Sequence, residues 1–189
     1  TDRLNESLPS MQKAVELSPH DAEAHNNLGT TLKELGRFDE AELSYRQAIG
    51  LNADYAEAHS NLGNALQELG RSDEAEASCR QAILLKSDYP EAHYNLGITL
   101  AYLDRLYEAE ASYRQAIAIK PDYAEAHYNL GITLAYLDRP DEAEASYRQA
   151  IELKHDYYRA YRNLGITLHQ QRRLEEAEAS FKQAIAIKP

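Results

Sequence analysis

The same landmarks return every 34 residues along this chain. Residues 56–89 and 90–123 repeat one another with the same spacing of landmarks, and 22–55, 124–157 and 158–189 continue the series. Segments such as AEAHNNLGTTLKELGRFDEAELSYRQAIGL read as helix, short turn, helix. A single pair of this kind cannot bury its apolar face alone, so neighbouring pairs must stack to make a core. The period therefore predicts an all-α solenoid with an extended groove. It also predicts one continuous array over 1–189, with 1–21 as the second helix of a partial repeat, followed by five repeats at 22–55, 56–89, 90–123, 124–157 and 158–189.

Within the third repeat, His93, Leu96, Gly97, Leu100 and Leu103 form one helical stripe, answered on the second helix by Ala109, Tyr113, Ala116, Ile117 and Ile119. Small residues recur where the two helices must come closest: Gly29, Gly63, Gly97, Gly131 and Gly165 on first helices, and Ala41, Ala75, Ala109, Ala143 and Ala177 on second helices. Gly36 and Gly70 suit a left-handed turn residue; Asp104 and Asp138 are tolerable there, and Arg172 is the least comfortable. Asp54/Glu57, Asp88/Glu91 and Asp122/Glu125 have capping-box spacing, and Pro140 fits the opening turn of a second helix.

A formal charge of −11 argues against a broad nucleic-acid surface, which needs clustered Lys and Arg, so no nucleic-acid partner is expected. The acids recur in EAEAS segments (Glu40/Glu42 to Glu176/Glu178), which read as a solvated outer face. Cys79 is the single cysteine, excluding an intrachain disulfide; it takes the slot of Tyr45, Tyr113, Tyr147 and Phe181 and reads as a small buried hydrophobe. No signal peptide and no apolar run of membrane-spanning length stands out. The expectation is a soluble, cytoplasmic protein without membrane insertion.

The recurrent Asn-Leu-Gly (Asn27 to Gly29, Asn61 to Gly63, Asn95 to Gly97, Asn129 to Gly131, Asn163 to Gly165), the alanine pairs such as Ala109 and Ala116, and the closing prolines Pro19, Pro121 and Pro189 resemble the tetratricopeptide repeat family. Where that family often has Trp, this chain has His25, His59, His93, His127 and Tyr161, and Ala53, Ser87 and His155 replace closing prolines. The resemblance covers nearly the whole chain. It implies a right-handed superhelical solenoid of stacked antiparallel helix pairs, with first helices lining the concave side, where function is to be sought.

The non-core stripe of the first helices carries Asn27, Asn61, Asn95, Asn129 and Asn163. An amide both donates and accepts, so a column of them suits the backbone of an extended peptide. The column resembles the asparagine ladder in the repeat region of O-linked N-acetylglucosamine transferase and SPINDLY-like proteins; local backbone satisfaction is the alternative. Neighbouring positions change along the array. Repeats one and two present Asn26, Thr30, Lys33 and Glu34, then Ser60, Asn64, Gln67 and Glu68. Repeats three and four present Tyr94, Ile98, Ala101 and Tyr102, then Tyr128, Ile132, Ala135 and Tyr136, which gives those helices a second apolar face. Repeat five turns basic, with Arg159, Arg162 and His169 beside Ile166. Such a centre suits a peptide anchor site, while mutual packing of the tyrosines between repeats would explain it without a ligand.

The histidine series does not suit a metal: packed helices lie ~8 to 10 Å apart, whereas zinc ligands sit ~2.0 to 2.1 Å from their ion. No phosphate-cradling loop, nucleophile elbow or Cys/His pair is present, so no enzyme activity, metal or cofactor is expected. Repeat domains that clamp a chaperone's C-terminal carboxylate place Lys and Arg on successive first helices; here the comparable places hold Asn26, Glu57, Ser60, Glu91 and Tyr94, which disfavours that function. The leading expectation is a non-catalytic scaffold that holds a protein or peptide partner in the groove. Two alternatives stay open: end-to-end self-assembly into homo-oligomers through exposed stacking faces, and a substrate-recruiting region of a larger enzyme such as a glycosyltransferase.

Overall fold

The computed structural model describes residues 2–188, with side chains from Ser7 onward. Pro189, expected to close the last repeat, lies outside the described residues. Eleven α-helices, and no strand, are found among them: α1 (Asp2–Leu17), α2 (Ala22–Glu34), α3 (Phe38–Leu51), α4 (Ala56–Glu68), α5 (Ser72–Leu85), α6 (Pro90–Tyr102), α7 (Leu106–Ile119), α8 (Ala124–Tyr136), α9 (Pro140–Leu153), α10 (Tyr158–Gln170) and α11 (Leu174–Ile187). They group into two compact units that divide inside α6, the first ending at Thr99 and the second starting at Leu100.

In the first unit each helix from α1 to α5 packs on the next, and α2 also touches α4. Leu32, Tyr45, Leu62 and Leu66 meet Ala41, Ala65 and Ala75 in one core, with Leu8, Leu28 and Ile49 against its edge. In the second unit α7 to α11 pack successively and α8 touches α10; Leu100, Tyr113, Leu130, Leu134, Tyr147, Leu164 and Leu168 are among its large buried apolar side chains.

The small-residue rule follows from contact distances. A Cβ added at Gly131 would stand 2.6 Å from the Tyr147 ring, one at Gly29 2.6 Å from Tyr45, and one at Gly165 2.6 Å from Phe181. At Gly63 it would stand 2.5 Å from Cys79 Sγ and 3.1 Å from the Ala75 carbonyl oxygen. Cys79 is fully buried in the slot that tyrosine fills elsewhere, and burial pushes its thiol up to about 12, the behaviour of an inert packing residue.

All five expected turn residues have positive φ: Gly36 and Gly70 at 74°, Asp104 at 59°, Asp138 at 57° and Arg172 at 62°. Each closes its helix with paired bonds, as where the Gly36 amide donates to Lys33 O and the Arg37 amide to Leu32 O, both at 2.9 Å. Pro140 opens α9. The capping boxes do not form at α4 and α8. Tyr55 and Tyr123 are the N-caps there and no side chain caps either end. In the first repeat the same slot holds Asp21, whose carboxylate accepts from the Glu23 and Ala24 amides.

Candidate functional site

The asparagine column is largely engaged. Asn61 Nδ2 donates to Asn26 Oδ1 at 3.1 Å, Asn95 Nδ2 to Ser60 Oγ at 3.1 Å, and Asn163 Nδ2 to the Tyr128 hydroxyl at 3.3 Å. These partners lie one repeat back, so the amides tie neighbouring first helices together. Asn27 is exposed, and Asn129 is partly buried.

The tyrosines divide into two kinds. Tyr128 is a packing residue in part: its ring centroid lies 4.8 Å from that of Tyr157 and 6.1 Å from that of Tyr147, both tilted. It holds the position that Asn26 and Ser60, each 1% exposed, hold in the first unit. Burial raises its hydroxyl above the ordinary tyrosine value. Tyr102 and Tyr136, about two turns beyond Tyr94 and Tyr128, are 71% and 77% exposed. Tyr94, Ile98 and Ile132 are partly buried, and Ile166 is 40% exposed.

Between α8 and α10 lies a cavity of about 360 Å³, lined by Ile132, Ala135, Tyr136, Asn163, Ile166, Thr167 and Gln170 together with Tyr147; Tyr94, Ile98 and Tyr102 are not part of it. Beside it, Tyr128, Tyr158, Arg159, Arg162 and Asn163 enclose a second, polar one of about 330 Å³. Of the expected site residues, the structure thus brings together Tyr128, Ile132, Tyr136, Arg159, Arg162 and Asn163. On α2 and α4 the positions equivalent to Tyr128 and Tyr136 are closed or acidic: Asn26 and Ser60 are buried, and Glu34 and Glu68 are exposed. Desolvation lowers the Lys33 ammonium below its usual value, opposed by the nearby Glu34 and Glu68. Tyr158 and Gln170 complete the second-unit face and were not among the expected residues. Tyr158 stands where Ala22, Ala56 and Ala124 begin other repeats, a departure visible in the alignment of repeats.

The second-helix glutamates are not the freely solvated face expected of them. Arg71 spans two repeats, bonding Glu42 at 2.7 Å and Glu74 at 2.6 Å. Arg139 likewise joins Glu110 and Glu142, and Arg173 joins Glu144 and Glu176. The inner carboxylates Glu42, Glu110 and Glu144 are only 12–13% exposed. At Glu110 and Glu144 burial opposes ionisation, yet the bonds from Arg139 and Arg114, and from Arg173 and Arg148, outweigh it and hold the carboxyls below the usual range. This ladder staples repeats on the second-helix side. The histidines staple the loops: Nε2 of His25, His59, His93 and His127 each meets the carbonyl oxygen six residues earlier, at 2.9 to 3.0 Å. Among the described residues no group of three His, Cys, Asp or Glu could hold a metal.

Sequence profiles of the tetratricopeptide repeat match in overlapping stretches: residues 10–42, 29–70, 56–89, 88–156 and 128–189. The chain is a tetratricopeptide repeat protein. No curated protein is significantly similar to it in sequence. Among solved structures, this tetratricopeptide repeat chain is similar to MamA, at 27% identity over 85% of this chain and 94% of MamA with a TM-score of 0.75. It is also similar to TTC0263, a thermophilic protein of Thermus thermophilus, at 26% identity over 89% and 92% with a TM-score of 0.76. YrrB, described as a TPR protein with an unusual peptide-binding site, shares the fold at 24% identity over 95% and 92%, with a TM-score of 0.70. The fold is thus one consistent with a protein-interaction scaffold, and among the described residues no helix is long and apolar enough to cross a membrane.

Proposed function

We propose that this tetratricopeptide repeat chain is a non-catalytic binding module whose contact face in the second unit lies on α8 and α10. The observation that carries this reading is the pair of exposed apolar side chains Tyr136 and Ile166, with partly buried Ile132, around a 360 Å³ cavity with Asn163 at its edge. A Tyr ring that is 77% exposed contributes little to folding, whereas a partner side chain seated against it would bury apolar area and reach its hydroxyl. Asn163, whose Nδ2 holds Tyr128, sets a polar group at the edge of the apolar cavity. That YrrB is described as having a peptide-binding site gives the reading a precedent on the same fold.

The test is a peptide-array screen of the protein and of its Tyr136→Glu variant. Glutamate is the residue α2 and α4 carry at this position, as Glu34 and Glu68, so the variant should fold. Peptides selected by the parent are expected to lose at least about tenfold in affinity. Full retention by the variant would remove this face from consideration.

A further inference from the structure

Arg159 and Arg162 break two columns of the repeat. The column of Arg159 otherwise holds Glu23, Glu57, Glu91 and Glu125, and that of Arg162 holds Asn26, Ser60, Tyr94 and Tyr128. A helix favours negative charge in its first turn. Helices α2, α4, α6 and α8 each have an acid there; α10 has none and places two cations near its start instead. The second-helix arginines Arg46, Arg114 and Arg148, and the turn arginines Arg71, Arg139 and Arg173, are all neutralised by glutamates. Arg159 and Arg162 are exposed, and among the described residues neither forms an ion pair. Arg159 Nε meets the Tyr158 hydroxyl at 3.1 Å and its guanidinium lies over that ring at 5.8 Å. In a chain of net charge −11, two neighbouring cations at an unfavourable helix end contribute no ion pair to the fold; they suit an anion that arrives from outside.

Their polar cavity and the apolar one share Asn163, so the two adjoin. We propose that this face takes a partner segment in which an Asp or Glu side chain lies close to an aliphatic or aromatic one. The carboxylate bonds Arg159 and Arg162, and the apolar side chain rests on Ile132, Tyr136 and Ile166. The proposal rests on the binding role argued above and adds the chemistry of the peptide. Both cations sit on one helix, so the carboxylate recognised is that of a side chain and not a chain terminus gripped between successive helices. Glu34, Glu57 and Glu68, exposed on α2 and α4, would repel the same segment.

The test is fluorescence anisotropy with matched sets of acetylated, amidated dodecapeptides: acid plus apolar residue at varied separation, Gln or Asn in place of the acid, Ala in place of the apolar residue, and the first set with a free C-terminus. The protein is compared with Arg159→Glu/Arg162→Ser, which installs the residues α4 carries as Glu57 and Ser60, and with Ile166→Asn, matching Asn64; thermal melts confirm that each folds. Acid-plus-apolar peptides should bind in preference, about tenfold or more tighter than their Gln counterparts. The arginine variant should abolish that preference, and the preference should shrink as salt rises from about 0.05 to about 0.5 M. Equal binding of Gln peptides, or unchanged binding by the arginine variant while Tyr136→Glu still fails, overturns the acidic chemistry and leaves the binding face standing. Binding only of free C-termini also overturns it. No binding of any set overturns both readings.

Discussion

Helices α4 and α8 share the pattern Ala-Glu-Ala-His-x-Asn-Leu-Gly, and their packing stripes are interchangeable. Leu62 and Leu66 of one and Leu130 and Leu134 of the other are at most 5% exposed, and Gly63 and Gly131 each admit a second-helix side chain to within van der Waals contact. The opposite stripe shares Asn61 with Asn129 but differs at most of the positions around it. Ser60 is sealed where Tyr128 packs against Tyr157, Asn64 stands where Ile132 lines a cavity, and exposed Glu68 stands where Tyr136 is exposed. The fold constrains one stripe and leaves the other free, so the differences between these helices are the places to look for function.

The largest test of that division is within the core. Tyr147→Ala should cost about 3 to 5 kcal/mol, as truncation of a buried aromatic does, whereas Cys79→Ala in the same slot of the first unit should cost roughly 1 kcal/mol. Denaturant melts of the two variants check this, and equal losses would mean that the slot is not equivalent in the two units. Gly131→Ala should follow, at about 1 to 3 kcal/mol, because the new Cβ must displace the Tyr147 ring.

The ion-pair ladder gives a smaller effect with a pH signature. Glu110 and Glu144 have folded-state values below their unfolded ones, so their contribution is complete above the ordinary carboxyl value of 4.5 and is lost as pH falls through the depressed values. Melting temperature should therefore drop between about pH 5 and about pH 2, and Glu110→Gln/Glu144→Gln should flatten that drop while costing about 1 kcal/mol per site near neutrality, the pairs being partly exposed. An unaltered acid profile would remove the ladder from the stability account. Smallest of all, Tyr136→Glu should shift stability by no more than about 0.5 kcal/mol. A larger loss would show that the exposed stripe belongs to the core after all.

The architecture was legible because each repeat states its own geometry: Gly29 and Gly131 for the close approach, and Gly36, Asp138 and Arg172 for the left-handed turn. What escaped involves residues a whole repeat apart. Glu42 meets Arg71 and Glu110 meets Arg139 at a separation of 29 residues, so a local reading sees solvated glutamates. The Asp54 and Asp122 caps failed because helix start is set one residue later, by Tyr55 and Tyr123. In the equivalent slot of the last repeat the Tyr157 ring packs, tilted, against Tyr128 of the preceding repeat, a contact between repeats that a local reading of the cap does not include. The asparagine column was legible as a column, but its use between repeats depends on the partner at position 26, 60 or 128, which changes from amide to hydroxyl to phenol.

The most direct test of the account is photo-cross-linking to the tightest peptide from the array, with a benzophenone side chain placed at position 136 in one sample and at the matching position 34 in another. The account predicts a specific adduct from position 136, suppressed by unlabelled peptide, and none from position 34. An adduct from 34 with none from 136 would contradict it.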